Sequence, residues 1–576
     1  METELDDIAA TPAAEAVAPA SPSCLAAPLS AALAVSAVAA CGGGGDSDPA
    51  PAPGGSGPPP ATQPTPVEAS RFLAQASMGA DRAQIARMQQ IGYAAWIDEQ
   101  FALPSSNGRW EALVAGGYAD IAFKTTEAGF DASAWRKMLA SPDTLRQRVT
   151  LALSEIMVVS IGSLTGGGWK AFAAANYLDL LEANAFGNYR MLLQAISTNT
   201  AMGMYLTFRA SKKANPVTGS LPDENYAREL MQLFAIGLVQ LDADGTVKLS
   251  GGAPVPTYAL ADITGLAPVF TGWDFDLAGQ PAAVATLTPD FIRRPMVQIP
   301  GRYETAAKTF LGTTIAANTP AELALTMALD AIFAHPNVAP FVSRQLIQRL
   351  VASNPSPAYV GRVAAVFGND GSGVRGNLKA VVKALLLDAE ARSATVAASP
   401  SAGKLREPIL RLAAWARAWN AQSASNAWAI GNTSDPSTRL GQSPLRSPSV
   451  FNFFRPGYVP PNSPIAVAGL VAPEFQIANE SSVVGAVNYL QRAVSGAGIG
   501  DVLADYTALL ALADDSTALV AEIDLVLAAG QLSAATRSII ATAVATMPAG
   551  SDPNRLKRIH ASLTLALAAP EFVVLK

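Results

Sequence analysis

Cysteine and histidine are almost absent from this chain. The two cysteines, Cys24 and Cys41, both fall within the first 66 residues, so the remainder can form no disulfide, thiolate metal site or cysteine nucleophile. With only His335 and His560 present, a three-histidine zinc site is impossible in one chain. Neither a G-x-S-x-G elbow nor a G-x-x-x-x-G-K-[ST] loop occurs, which removes serine-hydrolase and P-loop readings. No metal and no cofactor is expected. After the leading segment no unbroken apolar run reaches the ~18 residues a membrane helix needs. The net charge of −6 is uneven: residues 1–66 carry seven acids and no Lys or Arg, leaving 40 bases against 39 acids in the rest. A near-neutral body has no electrostatic footprint for DNA or RNA.

What is present begins with an address. Leu25 to Ala40 is a short, Ala-rich apolar run that ends Val38-Ala39-Ala40-Cys41 and passes into Gly42–Gly45. This resembles a bacterial lipoprotein signal, which would make residues 1–41 an export segment and Cys41 the lipidated first residue of the mature protein. Residues 42–66, rich in Gly, Pro, Ser and Ala, then read as a flexible tether. Gly42 after the cysteine implies the outer membrane or surface of a two-membrane bacterium. The pattern departs from an export signal at its start, where the first forty residues hold five acids and no base. The competing reading is an acidic tail.

Residues 67–576 read as helix after helix. Thr144–Val159 keeps a stripe of Leu145, Val149, Leu153 and Ile156, and similar stripes run through Asp223–Ile236, Tyr258–Phe270, Val338–Val351 and Lys404–Trp419. Strand signal is confined to an alternating stretch, Val239–Leu249, around Asp244-Gly245, the mark of a β-hairpin. The expected fold is all-α, one large multi-helix body with one or two small β-hairpin excursions. His335, before Pro336 at a helix end, suits an imidazolium facing the helix dipole.

The densest chemistry lies at Asn225-Tyr226-Ala227-Arg228-Glu229, followed by Phe270-Thr271-Gly272-Trp273. Asn225, Arg228 and Glu229 share a helix face. One reading makes this face a site, with Glu229 and Asp262 as a general acid–base pair and Asn225, Tyr226, Arg228 and Trp273 binding the ligand. The other makes it a buried clamp in which Arg228 and Glu229 matter to folding. Arg455 and Tyr458, in the aromatic run Phe451–Tyr458, are further binding candidates.

Taken in order, Arg71-Phe72-Leu73, Asn225–Leu230, Tyr258 with Asp262, Phe270–Trp273, Lys308-Thr309-Phe310-Leu311-Gly312, His335-Pro336, Ser447–Tyr458 and Ala569–Phe572 resemble the bacterial domain of unknown function 1800 family over about 70–576. Members often carry a histidine before the Lys-Thr-Phe-Leu-Gly element; here that stretch is Gly301-Arg302-Tyr303-Glu304. The resemblance implies an exported helical protein with no established reaction. It also implies a partner, an exported phosphatase-like protein of the domain of unknown function 1501 family. Three functions follow as expectations. The first is a lipid-anchored surface protein that works with that partner on extracellular polymer. The second is a hydrolase of a glycan or ester using Glu229 and Asp262, and the third is a carbohydrate- or matrix-binding module.

Overall fold

The computed structural model describes residues 63–576 except 107 and 282–283. The expected export segment, Cys41 and most of the 42–66 tether lie outside the described residues. The body is all-α with small antiparallel hairpins; the strands of the described residues form only two-stranded sheets. No helix among the described residues is long and apolar enough to cross a membrane.

Local chemistry sets where helices start. Thr65 and Glu68 cap Pro66–Ala76 reciprocally: the Thr65 N–H donates to Glu68 Oε2 at 2.9 Å, and the Glu68 N–H donates to Thr65 Oγ1 at 3.3 Å. Three helices form the centre. Thr144–Ile156 buries every residue except Arg146, and Pro408–Ala418 buries all of its own. Val338–Leu350 buries all but Phe341 and Arg344. Helices buried on every side leave no face for water to solvate. Their polar residues must therefore find partners inside the protein.

Several expected boundaries shift. Lys404–Trp419 is not one helix: Lys404–Leu405 pairs antiparallel with Val574–Leu575, and the helix starts at Pro408, whose missing N–H suits a first turn. Asp223–Ile236 is an α-helix only over Asn225–Glu229. It then widens into a π-helical stretch, Leu230–Ala235, where the Ile236 N–H donates to the Met231 carbonyl. Tyr258–Phe270 reduces to Leu260–Leu266 and a 3-10 turn, Ala267–Phe270. The Val239–Leu249 hairpin forms, with Leu241 paired to Val247 and Gly245 at φ 81° in its turn. His335 is not the expected imidazolium. Burial lowers its pKa, and its Nδ1 accepts the Asn337 N–H at 3.1 Å, which requires the neutral ring.

One tie explains several of the separated motif residues. Leu260–Leu266 lies against the hairpin Lys308–Phe310/Thr313–Ile315 so closely that a Cβ on Gly265 would sit 1.8 Å from the Thr309 carbonyl oxygen. Asp262 accepts the Ala259 N–H at the head of the helix (2.8 Å) and the Leu311 N–H in the hairpin turn (2.7 Å). Leu311 stands there at φ 47°, a strained conformation for leucine that this hydrogen bond helps hold.

Candidate functional site

The residues singled out between 225 and 273 assemble into a knot that is largely filled. Tyr226 is fully buried; its hydroxyl shares a hydrogen bond of 2.7 Å with Ser197 Oγ, and its ring meets Phe270 edge-on at 4.7 Å. Trp273 is buried and donates its indole N–H to the Val269 carbonyl at 3.2 Å. Asn225 donates its backbone N–H to Asp223 Oδ1. Arg228, far from buried, has a side chain 41% exposed and lies 3.5 Å from Glu224, a surface pair. Glu229 is buried, burial raises its carboxyl, and its Oε2 has no hydrogen-bond partner. Both Asp262 oxygens serve backbone amides, as described above. The clamp reading therefore fails for Arg228, and the residue that ties elements together is instead Asp262. Asp262→Ala is expected to lose about 1–3 kcal/mol as two N–H groups lose their acceptor. Arg228→Met should change stability by no more than ~1 kcal/mol. Chemical denaturation of the two variants checks this, and equal losses would contradict it.

A cleft opens beside that knot, with a volume of about 640 Å³. The π-helical stretch contributes Gln232 and Leu233, Leu238 follows it, and the hairpin contributes Val247. Phe341, Arg344, Gln345 and Arg349 come from Val338–Leu350, and the segment 450–459 brings Phe451, Arg455 and Tyr458. Phe341 and Arg344, the two residues that helix leaves unburied, are thus accounted for. Gly237 permits the close approach, since a Cβ there would meet the Phe341 ring at 2.7 Å. Arg455 and Tyr458 line this cleft. Glu229 and Asp262 do not.

Glu155, at the carboxyl end of Thr144–Ile156, forms the floor. Neither of its oxygens receives an N–H or O–H from another residue in hydrogen-bonding geometry, although Arg349 Nη1 lies 3.5 Å from Oε2. It faces the Glu407 carboxyl, and two carboxyls can bond only by sharing a proton. Burial, then the charge of Glu407, raises Glu155 well above the usual carboxylate range. Burial would raise Glu407 too. There the hydrogen bond from Glu155, the charges of Lys404 and Arg148, and the Gln442 amide at 2.7 Å prevail and hold it below the usual carboxylate range. The two shifts run apart, so a proton held by the pair sits on Glu155 rather than on Glu407.

A buried polar network surrounds the pair. Arg148 Nη1 lies 3.9 Å from Glu407, and its Nη2 donates to the Arg349 carbonyl at 2.5 Å. Lys404 donates to the same carbonyl at 2.7 Å and pairs with Glu474 at 3.0 Å. Arg406 and Arg411 complete it; burial and their cationic surroundings lower Arg406 to about 9, and burial lowers Arg411 to about 10.

A family model described as "Protein of unknown function (DUF1800)" matches residues 71–574. The chain belongs to this family. No curated protein and no solved structure matches it. Of the motifs that carry the resemblance, those at Asp262 and Lys308–Gly312 form the helix–hairpin tie, and Ser447–Tyr458 reaches the cleft. Sequence reasoning missed the floor of the cleft in this family member. A signal existed: Arg148 and Glu155 stand seven residues apart on one face of a helix, and Gln345, Gln348 and Arg349 share a face of another.

Proposed function

We propose that the cleft is an active site for acid–base hydrolysis, with Glu155 as proton donor and Glu407 as the carboxylate that keeps the donor loaded. What supports this is a buried carboxyl beneath an open cleft, raised by burial and by the Glu407 carboxyl beside it, with neither oxygen receiving an N–H in hydrogen-bonding geometry. A general acid needs this state: it must carry its proton at the working pH and give it up to a leaving group. Glu407 is a positioning residue, fixed by Gln442 and by the cations behind it. The substrate class remains a glycan or ester, the class first considered for Glu229 and Asp262. The acid is reassigned because the oxygens of Asp262 serve backbone amides and Glu229 lies outside the cleft lining.

A panel of chromogenic esters and glycosides tests the reading. The expected result is turnover that falls on the alkaline side as Glu155 loses its proton. Glu155→Gln should reduce it by about a hundredfold or more while the fold is kept. Full turnover in Glu155→Gln, or none in the wild type across the panel, would overturn it.

The address is proposed on sequence grounds. The Val38–Cys41 pattern and its glycine tail support a lipid-anchored envelope protein, and the family resemblance supports an exported partner of the domain of unknown function 1501 family. A palmitate analogue should label the wild type and not Cys41→Ala; equal labelling of both, or of neither, ends the lipid proposal. Pull-down from native membranes tests the partner.

A further inference from the structure

We infer that the cleft takes an amphipathic anion, a molecule with an anionic head on an apolar acyl or aryl body; this deepens the reading of the cleft as a catalytic site and rests on it. The first ground is charge. Four buried cations (Arg148, Arg349, Lys404 and Arg411) interact with three buried carboxyls (Glu155, Glu407 and Glu474), and a fifth, Arg406, meets only other cations. Even with all three ionised, the cations would be in excess. A buried cation without a counter-charge is costly, and Arg349, the one of the five that lines the cleft, is where an arriving anion adds one.

The second ground is where the free donors point. Arg344 lines the cleft half-buried, with its pKa lowered by burial, and forms no ion pair among the described residues. Arg455 lies at the rim over the Phe451 ring at 4.5 Å, also without a carboxylate. Gln345 is 7% exposed, yet its Nε2 has no acceptor. Buried donors of this kind are rarely left unsatisfied. Two guanidinium groups and an amide N–H around one cleft fit the several oxygens of a carboxylate, phosphate or sulfate.

The third ground is the remaining wall. Leu233, Leu238, Val247, Phe341 and Val450 offer an anionic head nothing, but they give an apolar body a surface to bury. A highly polar sugar acid would satisfy the arginines and leave this wall unused.

Equilibrium binding to the full chain tests the inference with three probes that share one tail: decanoate, decyl phosphate and decyl maltoside. The anionic probes should bind more tightly than the neutral one, and whichever head binds better identifies the carboxylate or the phosphate as the group recognised. Arg344→Met should weaken the anionic probes by about tenfold or more and leave the maltoside unchanged. Should Arg344→Met not fold, Gln345→Leu carries the same test, because it removes the unpartnered donor and leaves every charge in place. Equal binding of all three probes, or equal weakening of all three by the substitution, would overturn the inference. The catalytic reading fails separately: if Glu155→Gln keeps its turnover while Arg344→Met still discriminates between probes, the acid assignment falls and the anion site stands. If Glu155→Gln loses turnover and Arg344→Met discriminates nothing, the reverse holds.

Discussion

Glu182→Gln should destabilise the protein by on the order of 3–5 kcal/mol, the cost of leaving buried cations without their counter-charge. The Glu182 side chain is 2% exposed and holds two cations, with Oε2 2.7 Å from Arg109 Nη1 and Oε1 2.7 Å from Lys137 Nζ. The Lys137 side chain is 1% exposed, and Glu182 is its only ion-pair partner among the described residues. Arg109 keeps a second acid, Asp179 at 2.9 Å, so Lys137 suffers most. Burial already lowers its pKa, and without Glu182 it should shed its proton to fold. Burial alone would raise Glu182, but Arg109 and Lys137 hold it at about 2 against an ordinary value of 4.5. Its folded pKa is depressed, so its stabilisation is complete above the unfolded value and is lost as pH falls through the folded one. The difference between wild type and Glu182→Gln should therefore be full at neutral pH and close between about 4.5 and about 2. Urea midpoints at several pH values measure it. A difference that does not change with pH would rule out the charge as its cause.

The all-α architecture was legible because stripes such as Leu145–Ile156 repeat at the helical period over whole elements. The hairpin at Asp244-Gly245 was legible because its turn needs a residue that tolerates a positive φ. Arg455 and Tyr458 could be singled out because arginine and tyrosine beside an aromatic run are uncommon in plain packing. Glu155 could not. Its meaning depends on Arg349 and Glu407, which lie 194 and 252 positions further along the chain, and one sequence carries no sign of such pairings. Arg228 was misjudged for a related reason. Helical periodicity places it on a face but does not say which face is covered. Lys404 looked like the start of a helix because the strand it pairs with lies at the far end of the chain.

The same change at the two members of the carboxyl pair should act in opposite directions. Glu407→Gln removes the ionised member, takes from Arg148 its nearest carboxylate, and replaces an acceptor that the Gln442 amide needs. Arg148 is completely buried, and its Nε and Nη1 already lack hydrogen-bond partners, so a loss on the order of 3–5 kcal/mol is expected. Glu155→Gln replaces the protonated member with a neutral amide whose N–H can donate to Glu407 as the carboxyl proton did, so near pH 4 the two proteins should be about equally stable. Their paths then diverge. Glu155 has a raised folded pKa, so its contribution is complete below the unfolded value of 4.5 and declines as pH rises toward the folded one, because the unfolded chain releases a proton that the fold retains. The wild type should therefore lose about 1.4 kcal/mol per pH unit relative to Glu155→Gln over that range. At neutral pH the variant that has lost the proposed acid should be the more stable protein, as expected where function keeps a strained group in place. Denaturation midpoints from pH 4 to pH 8 decide the matter. Parallel curves for wild type and Glu155→Gln would mean that Glu155 ionises normally, and the pair would then hold no proton to donate.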